Sequence, residues 1–214
     1  MICKLCSSTS IDIIEDVKMD NIYYNCKDCD FIFSLKLPTI LQEEKQYSHH
    51  NNSLENSGYV QMFENFIDFA IEPYADKSKP MLDYGSGPEP VLSQLLQKRN
   101  FDIQAYDPIY KKDESWRANK FSTIVSTEVF EHLHTPYETI LQLIATLEDE
   151  SILSFQTMFH PKDKDKFLNW WYRRDPTHVG FFSQTTLEKM QDIFKLKLLK
   201  FDDKNIAVFR KSQI

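Results

Sequence analysis

Apolar and polar positions alternate with two different periods between residue 81 and the end of the chain. Short apolar runs such as residues 121–127 have the length of buried strands, whereas residues 136–148 repeat their apolar positions every three or four residues, as an amphipathic helix does. The predicted order is strand 81–84, helix 90–98, strand 102–106, strand 121–127, helix 136–148, strand 151–157, helix 184–194 and β-prone runs at 195–202 and 206–210. We predict an α/β fold with a mostly parallel sheet and a terminal antiparallel hairpin.

The chain before residue 81 has a different pattern. Its β-prone stretches, at 11–17, 22–24 and 31–35, are short and separated by polar residues, and apolar positions return with helical spacing only at 56–74. Residues 36–53 are polar and contain a proline. We interpret 36–53 as a linker and as a candidate cover for a site.

The four cysteines of the chain all lie within its first 29 residues. Their spacing, C-x2-C-x19-C-x2-C, is typical of two knuckles that offer four thiolates to one Zn²⁺. Disulfides or redox thiols are the alternative, which a reducing cytoplasm disfavours. Four filled positions leave zinc no open site, so the predicted role is structural. The predicted ligands are Cys3, Cys6, Cys26 and Cys29.

These patterns predict three parts of the chain. A zinc ribbon occupies 1–35, the linker occupies 36–53, and one α/β domain occupies 54–214 with a substrate-side insertion at 158–183.

Charge and hydropathy exclude two classes of partner. The formal net charge is −7, and Lys and Arg never occur in runs longer than a pair, so a nucleic-acid partner is disfavoured. No segment approaches the ~18 uninterrupted apolar residues of a membrane helix, and the N-terminus lacks a signal pattern. We expect a cytoplasmic protein that binds neither nucleic acid nor membrane.

Glycine is scarce, and two of the four glycines, Gly85 and Gly87, lie close together. They follow the predicted strand 81–84 and precede the predicted helix 90–98. A strand, a glycine turn and a helix start expose backbone N–H groups and let a ligand approach closely.

Acidic residues follow the next two strands. Asp107 ends strand 102–106, where a carboxylate can accept both hydroxyls of a ribose, and Glu128 and Glu131 follow strand 121–127. Because a ligand of an open α/β sheet lies beyond the C-terminal ends of its strands, these acids are expected to converge with the glycine turn.

These motifs resemble those of the class I S-adenosylmethionine-dependent methyltransferases that carry an N-terminal zinc ribbon. Residues 82–88, LDYGSGP, look like the first motif of that superfamily, Asp107 like its ribose-binding acid, and residues 128–133, EVFEHL, like its E-V-x-E-H-L segment. Residues 47–53 and 171–183 are similar to an uncharacterised branch of the same enzymes.

The resemblance implies a Rossmann-like sheet and methyl transfer from S-adenosylmethionine, leaving S-adenosylhomocysteine, to a small or carrier-linked metabolite. It implies that the donor is bound by residues at the ends of three strands: Asp83, Tyr84, Gly85, Ser86, Gly87, Asp107, Pro108, Thr127 and Glu128. Dinucleotide binding is the alternative for the glycine turn, but Pro90 occupies the position of the last small residue of that fingerprint.

The sequence departs from the family between Asp107 and Phe121, where only 13 residues intervene. That length is too short for the usual helix, strand and helix, so we predict that one strand and its adjacent helices are missing at the sheet edge.

An oxygen or nitrogen acceptor needs a base, and the histidines are the candidates. His178 is the first choice, His132 the second, and His50 the third if the linker folds over the pocket. A structural role for each histidine stays open. The aromatic residues at 170–172 and 181–182 are equally expected to line an acceptor pocket or to fill the core.

A competing hypothesis is a non-enzymatic zinc-ribbon adapter with a degenerate methyltransferase fold. The sequence leaves open whether carbon, nitrogen or oxygen is methylated, and it leaves the oligomeric state open.

Overall fold

The N-terminal strands form a small antiparallel sheet around the cysteine knuckles. In a computed structural model, which describes residues 1–39, 41, 42, 46 and 53–213, β1 (Ile11–Asp16) pairs with β2 (Asn21–Cys26), and β2 pairs with β3 (Ile32–Ser34). A fourth strand, β8 (Gly180–Phe181), pairs with β3 from far along the chain. The sequence did not predict this strand, because two residues carry no periodic signal.

The predicted helix at 56–74 is observed as α1 (Ser57–Phe66), which continues as a π-helical turn (Ile67–Ile71). The side chain of Asn56 caps α1 by accepting from Tyr59 N at 3.2 Å. The apolar stripe of both segments is buried against the large sheet.

Six strands form the large sheet in the order β5-β4-β6-β7-β10-β9. The first four are parallel to one another, and β10 and β9 add an antiparallel hairpin, so the predicted Rossmann-like arrangement is confirmed. The strands are β4 (Met81–Tyr84), β5 (Ile103–Tyr106), β6 (Phe121–Thr127), β7 (Leu147–Gln156), β9 (Leu196–Phe201) and β10 (Ile206–Lys211).

Helices cover both faces of this sheet. One face packs on α1 and α2 (Val91–Lys98), and the other on α3 (Pro136–Thr146) and α5 (Gln184–Phe194); α4 (Lys164–Asn169) lies in the insertion. Neighbouring strand residues such as Ile124 and Val125 enter different cores, as the strand period requires. The helix predicted at 136–148 ends at Thr146 because the buried Leu147 already pairs with Phe121 in the sheet.

The missing edge strand is confirmed, because β5 is the edge of the sheet. The short connection from β5 to β6 contains a 3₁₀ turn (Glu114–Ala118) that places Trp116 against the edge. The Trp116 ring centroid lies 5.5 Å from that of Tyr84 and 5.3 Å from that of Tyr106. One buried aromatic side chain therefore covers an edge that is usually covered by helices.

None of the helices in the described ranges combines the length and apolar content needed to cross a lipid bilayer.

Candidate active site

The glycine turn after β4 forms the floor of a cleft. Gly85 and Gly87 have positive φ angles of 82° and 70°. A Cβ on Gly85 would lie 2.3 Å from Val129 Cγ2, whereas a Cβ on Gly87 would meet no atom within 4 Å. Gly85 is therefore required for packing and backbone conformation, while Gly87 leaves open space for a ligand.

Asp107 is held by the backbone around it. Its Oδ2 accepts from Gly87 N at 2.9 Å, and its Oδ1 accepts from Ile109 N at 2.8 Å and Tyr110 N at 2.9 Å. A carboxylate has about four lone-pair positions, so capacity remains for a ligand hydroxyl. These bonds fix the carboxylate against the glycine turn, 20 residues earlier in the chain.

Asp83 lies beneath the same turn and is buried. Ser93 Oγ donates to its Oδ2 at 2.7 Å. Burial nevertheless raises the pKa of Asp83 to about 6, because the charged form loses its hydration.

Asp83→Asn is therefore expected to stabilise the protein at neutral pH. The unfolded carboxyl ionises near pH 3.8, whereas the folded one keeps its proton to about pH 6, so stability falls as the pH rises through this window and levels off above it. The variant should gain roughly 1–3 kcal/mol at pH 7.5 and much less at pH 4.5, measured by urea unfolding. The exposed Asp102→Asn is the control; a gain independent of pH would contradict this account.

Two carboxylates face each other on the opposite side of the cleft. Tyr172 OH donates to Glu131 Oε1 at 2.5 Å and lies 3.1 Å from Glu128 Oε2. Burial and the neighbouring charge of Glu131 raise the pKa of Glu128 to about 8, and burial raises the pKa of Glu131 to about 7. Glu128 also has a positive φ of 54°, which turns the chain sharply after β6.

Two of the three histidine candidates lie together beside these carboxylates. The ring centroids of His132 and His178 are 4.7 Å apart. Val179 N donates to Glu131 O at 2.8 Å, and this backbone bond brings the two loops together. His50 lies outside the described residues.

All these groups line one cleft with a volume of about 970 Å³. It lies beyond the C-terminal ends of β4, β5 and β6, as the sheet topology predicts. Its lining includes every residue that the sequence suggests for donor binding: Asp83, Tyr84, Gly85, Ser86, Gly87, Asp107, Pro108, Thr127 and Glu128.

A family model described as a methyltransferase domain matches residues 58–199, about two thirds of the chain. The chain belongs to this methyltransferase family. The predicted membership of the class I S-adenosylmethionine-dependent methyltransferases is thereby confirmed at the level of family and fold. No curated protein sequence matches the chain.

Solved structures agree with this family. An O-methyltransferase family protein from Burkholderia thailandensis has a TM-score of 0.59 and 11% identity, over 83% of this chain and 65% of that one. Magnesium protoporphyrin IX methyltransferase from Synechocystis PCC 6803, bound to S-adenosylhomocysteine, has a TM-score of 0.54 and 12% identity, over 80% and 93%. Coclaurine N-methyltransferase, bound to N-methylheliamine and S-adenosylhomocysteine, has a TM-score of 0.48 and 17% identity; the methyltransferase described here covers 53% of it with 72% of its own length.

The aromatic residues of the insertion divide between the two roles that the sequence allowed. Trp171 and Tyr172 line the cleft of the methyltransferase, and Trp171 is 64% exposed. Phe181 and Phe182 are buried in the cores. The sequence did not assign Tyr59 to the site, because it belongs to the apolar stripe of a predicted helix, yet it lines the cleft.

The cysteine cluster lies apart from the cleft. Cys3 Sγ lies 3.7 Å from Cys29 Sγ and Cys6 Sγ lies 3.5 Å from Cys26 Sγ, and all four sulfurs lie within 4.8 Å of one another. A tetrahedral zinc with bonds of ~2.3 Å separates its sulfurs by about 3.8 Å, whereas disulfide sulfurs are about 2.05 Å apart. The four side chains therefore fit a zinc ion.

Proposed function

We propose that this methyltransferase transfers the methyl group of S-adenosylmethionine to a small or carrier-linked metabolite. The observation that supports the proposal best is the cleft itself, whose 970 Å³ lies at the upper end of the range for ligand sites. This volume accommodates a donor beside the glycine turn and an acceptor beside the insertion.

The charges of the cleft suit the donor. Asp83, Asp107, Glu128 and Glu131 all line it, and the donor carries a sulfonium and an amino group. The carboxylates therefore favour a cationic ligand over an anionic dinucleotide. Asp107 is proposed to hold the ribose through its remaining lone-pair position.

Methyl transfer requires little covalent chemistry from the protein. A lone pair of the acceptor forms a bond to the methyl carbon while the carbon–sulfur bond breaks, and its electron pair neutralises the sulfonium to give S-adenosylhomocysteine. The protein mainly positions and desolvates the two partners. We assign removal of the acceptor proton to the side of the cleft that contains His132 and His178; His50 remains a candidate from the sequence alone.

The zinc is proposed to act structurally, because the four cysteines fill its coordination positions. The linker is proposed to close over the cleft, since Gln46 lines it and donates from Nε2 to Asp175 Oδ2 at 2.7 Å.

Binding of S-adenosylhomocysteine tests the donor site directly. Calorimetry and thermal shift should show binding by the wild type, and Asp107→Ala should abolish it because the fixed carboxylate is lost. The exposed Asp102→Ala, just before the same strand, should bind normally. No response of the wild type at millimolar ligand would reject the enzymatic proposal and favour the adapter.

A further inference from the structure

Glu131, His132 and His178 form a second cluster of metal-ligating side chains, separate from the cysteines. One ligand atom from each residue lies within 4.8 Å of the others. Glu131 Oε1 lies 3.8 Å from His132 Nε2 and 4.0 Å from His178 Nε2. Two metal bonds of ~2.1 Å span up to about 4.2 Å, so small inward movements of the side chains allow one cation to contact all three.

Both imidazoles are held in orientations that suit a metal ligand. His132 Nδ1 lies 3.1 Å from Thr177 O, and His178 Nδ1 lies 2.7 Å from Tyr172 O. Because a backbone carbonyl only accepts, each Nδ1 carries the proton, and each Nε2 presents a lone pair towards Glu131. A ligating histidine is typically fixed by such a bond from its other ring nitrogen.

The carboxylate between them has unused capacity. Glu131 is 0% exposed, and its Oε2 has no hydrogen-bond partner within the part of the chain that the structure describes. Glu131 lines the cleft, and in the described ranges neither Glu131 nor Glu128 forms an ion pair with Lys or Arg. A buried oxygen without a partner is costly, and a cation supplies the missing interaction.

We propose that Glu131, His132 and His178 bind one divalent transition-metal ion in the acceptor half of the cleft. Two imidazoles and one carboxylate are a ligand set for Zn²⁺, Fe²⁺ or Mn²⁺ and leave coordination positions open. This set contains no thiolate and differs from the closed cysteine site, which is selective for softer ions.

The open positions define the class of acceptor, an inference that rests on the proposed function. They suit an oxygen ligand, and a divalent cation lowers the pKa of a hydroxyl that it binds. A hydroxyl acceptor loses its proton to water in the cleft. Its oxygen then forms the bond to the methyl carbon as the carbon–sulfur bond breaks and the electron pair goes to sulfur. His132 and His178 then act as ligands, and neither acts as a base.

Titration of Mn²⁺ followed by electron paramagnetic resonance tests the site without any methyl transfer. The probe is added to zinc-loaded protein, so the cysteines are occupied and the hard Mn²⁺ ion avoids them. The wild type should bind about one Mn²⁺ per chain. Glu131→Gln and His178→Ala should weaken binding at least about 30-fold, and the exposed Glu138→Gln should leave it unchanged.

A spectrum of the wild type locates the ion if a variant fails to fold. Co²⁺ added to zinc-loaded protein should give weak visible bands and no sulfur-to-metal charge-transfer band, because its ligands are nitrogen and oxygen. A charge-transfer band alone, no Mn²⁺ binding at millimolar concentration, or equal binding by folded variants would overturn the metal site. Binding of S-adenosylhomocysteine without Mn²⁺ would leave the proposed function standing, and the reverse result would leave only the metal site.

Discussion

Removal of zinc from the four-cysteine cluster is expected to unfold β1, β2 and β3 and to lower the thermal midpoint of the whole chain by more than about 10 °C. Structural zinc contributes on the order of 10 kcal/mol to small domains, and 1 kcal/mol shifts a chain of this size by roughly 2–4 °C. Cys26→Ser should have the same effect. Elemental analysis should find about one zinc per wild-type chain and none in the variant.

The effect extends beyond the ribbon because its core is continuous with the main core. Phe31 lies 4.9 Å from Phe182, ring centroid to ring centroid. Asp30 O lies 2.8 Å from His160 Nε2, and Ser183 Oγ donates to Asp30 Oδ2 at 2.7 Å. Loss of the knuckle therefore removes partners from the insertion and from the start of α5.

The exposed Thr9→Ser, between the knuckles, is the matched control and should retain zinc and the wild-type midpoint. Protein purified without chelator that contains no zinc, or an unchanged midpoint after its removal, would contradict the structural role.

Gly85→Ala is expected to destabilise the protein by about 2–5 kcal/mol. An alanine at positive φ costs about 1–2 kcal/mol, and overpacking adds about 1–3 kcal/mol. The overpacking arises because the new Cβ would lie 2.3 Å from Val129 Cγ2. Urea unfolding without ligand measures the loss.

Gly87→Ala separates the two causes, since Gly87 has positive φ and its added Cβ would have no atom within 4 Å. It should lose only the backbone part, and Val129→Ala should restore the packing part in the Gly85→Ala background. Equal losses for Gly85→Ala and Gly87→Ala would show that packing against Val129 contributes nothing.

The agreement between sequence and structure depends on how local each signal is. The sequence predicts β4, the glycine turn and α2 because strand period, turn chemistry and helix period follow one another within 18 residues, from Met81 to Lys98. It predicts the missing strand because chain length alone forbids it. Strand β8 escapes prediction because its two residues pair with β3 only after the insertion has folded back.

The sequence by itself determined the α/β class, the order of the parallel strands, the four-cysteine pattern and the acids at the strand ends, because each is encoded in residue type and short-range spacing. Tertiary structure alone decided that His178 meets His132 and Glu131, and that Tyr172 lies between two carboxylates. These residues are more than 40 positions apart. Their contact depends on long loops that close through β8 and through the bond from Val179 N to Glu131 O, and no periodicity along the chain records such a closure.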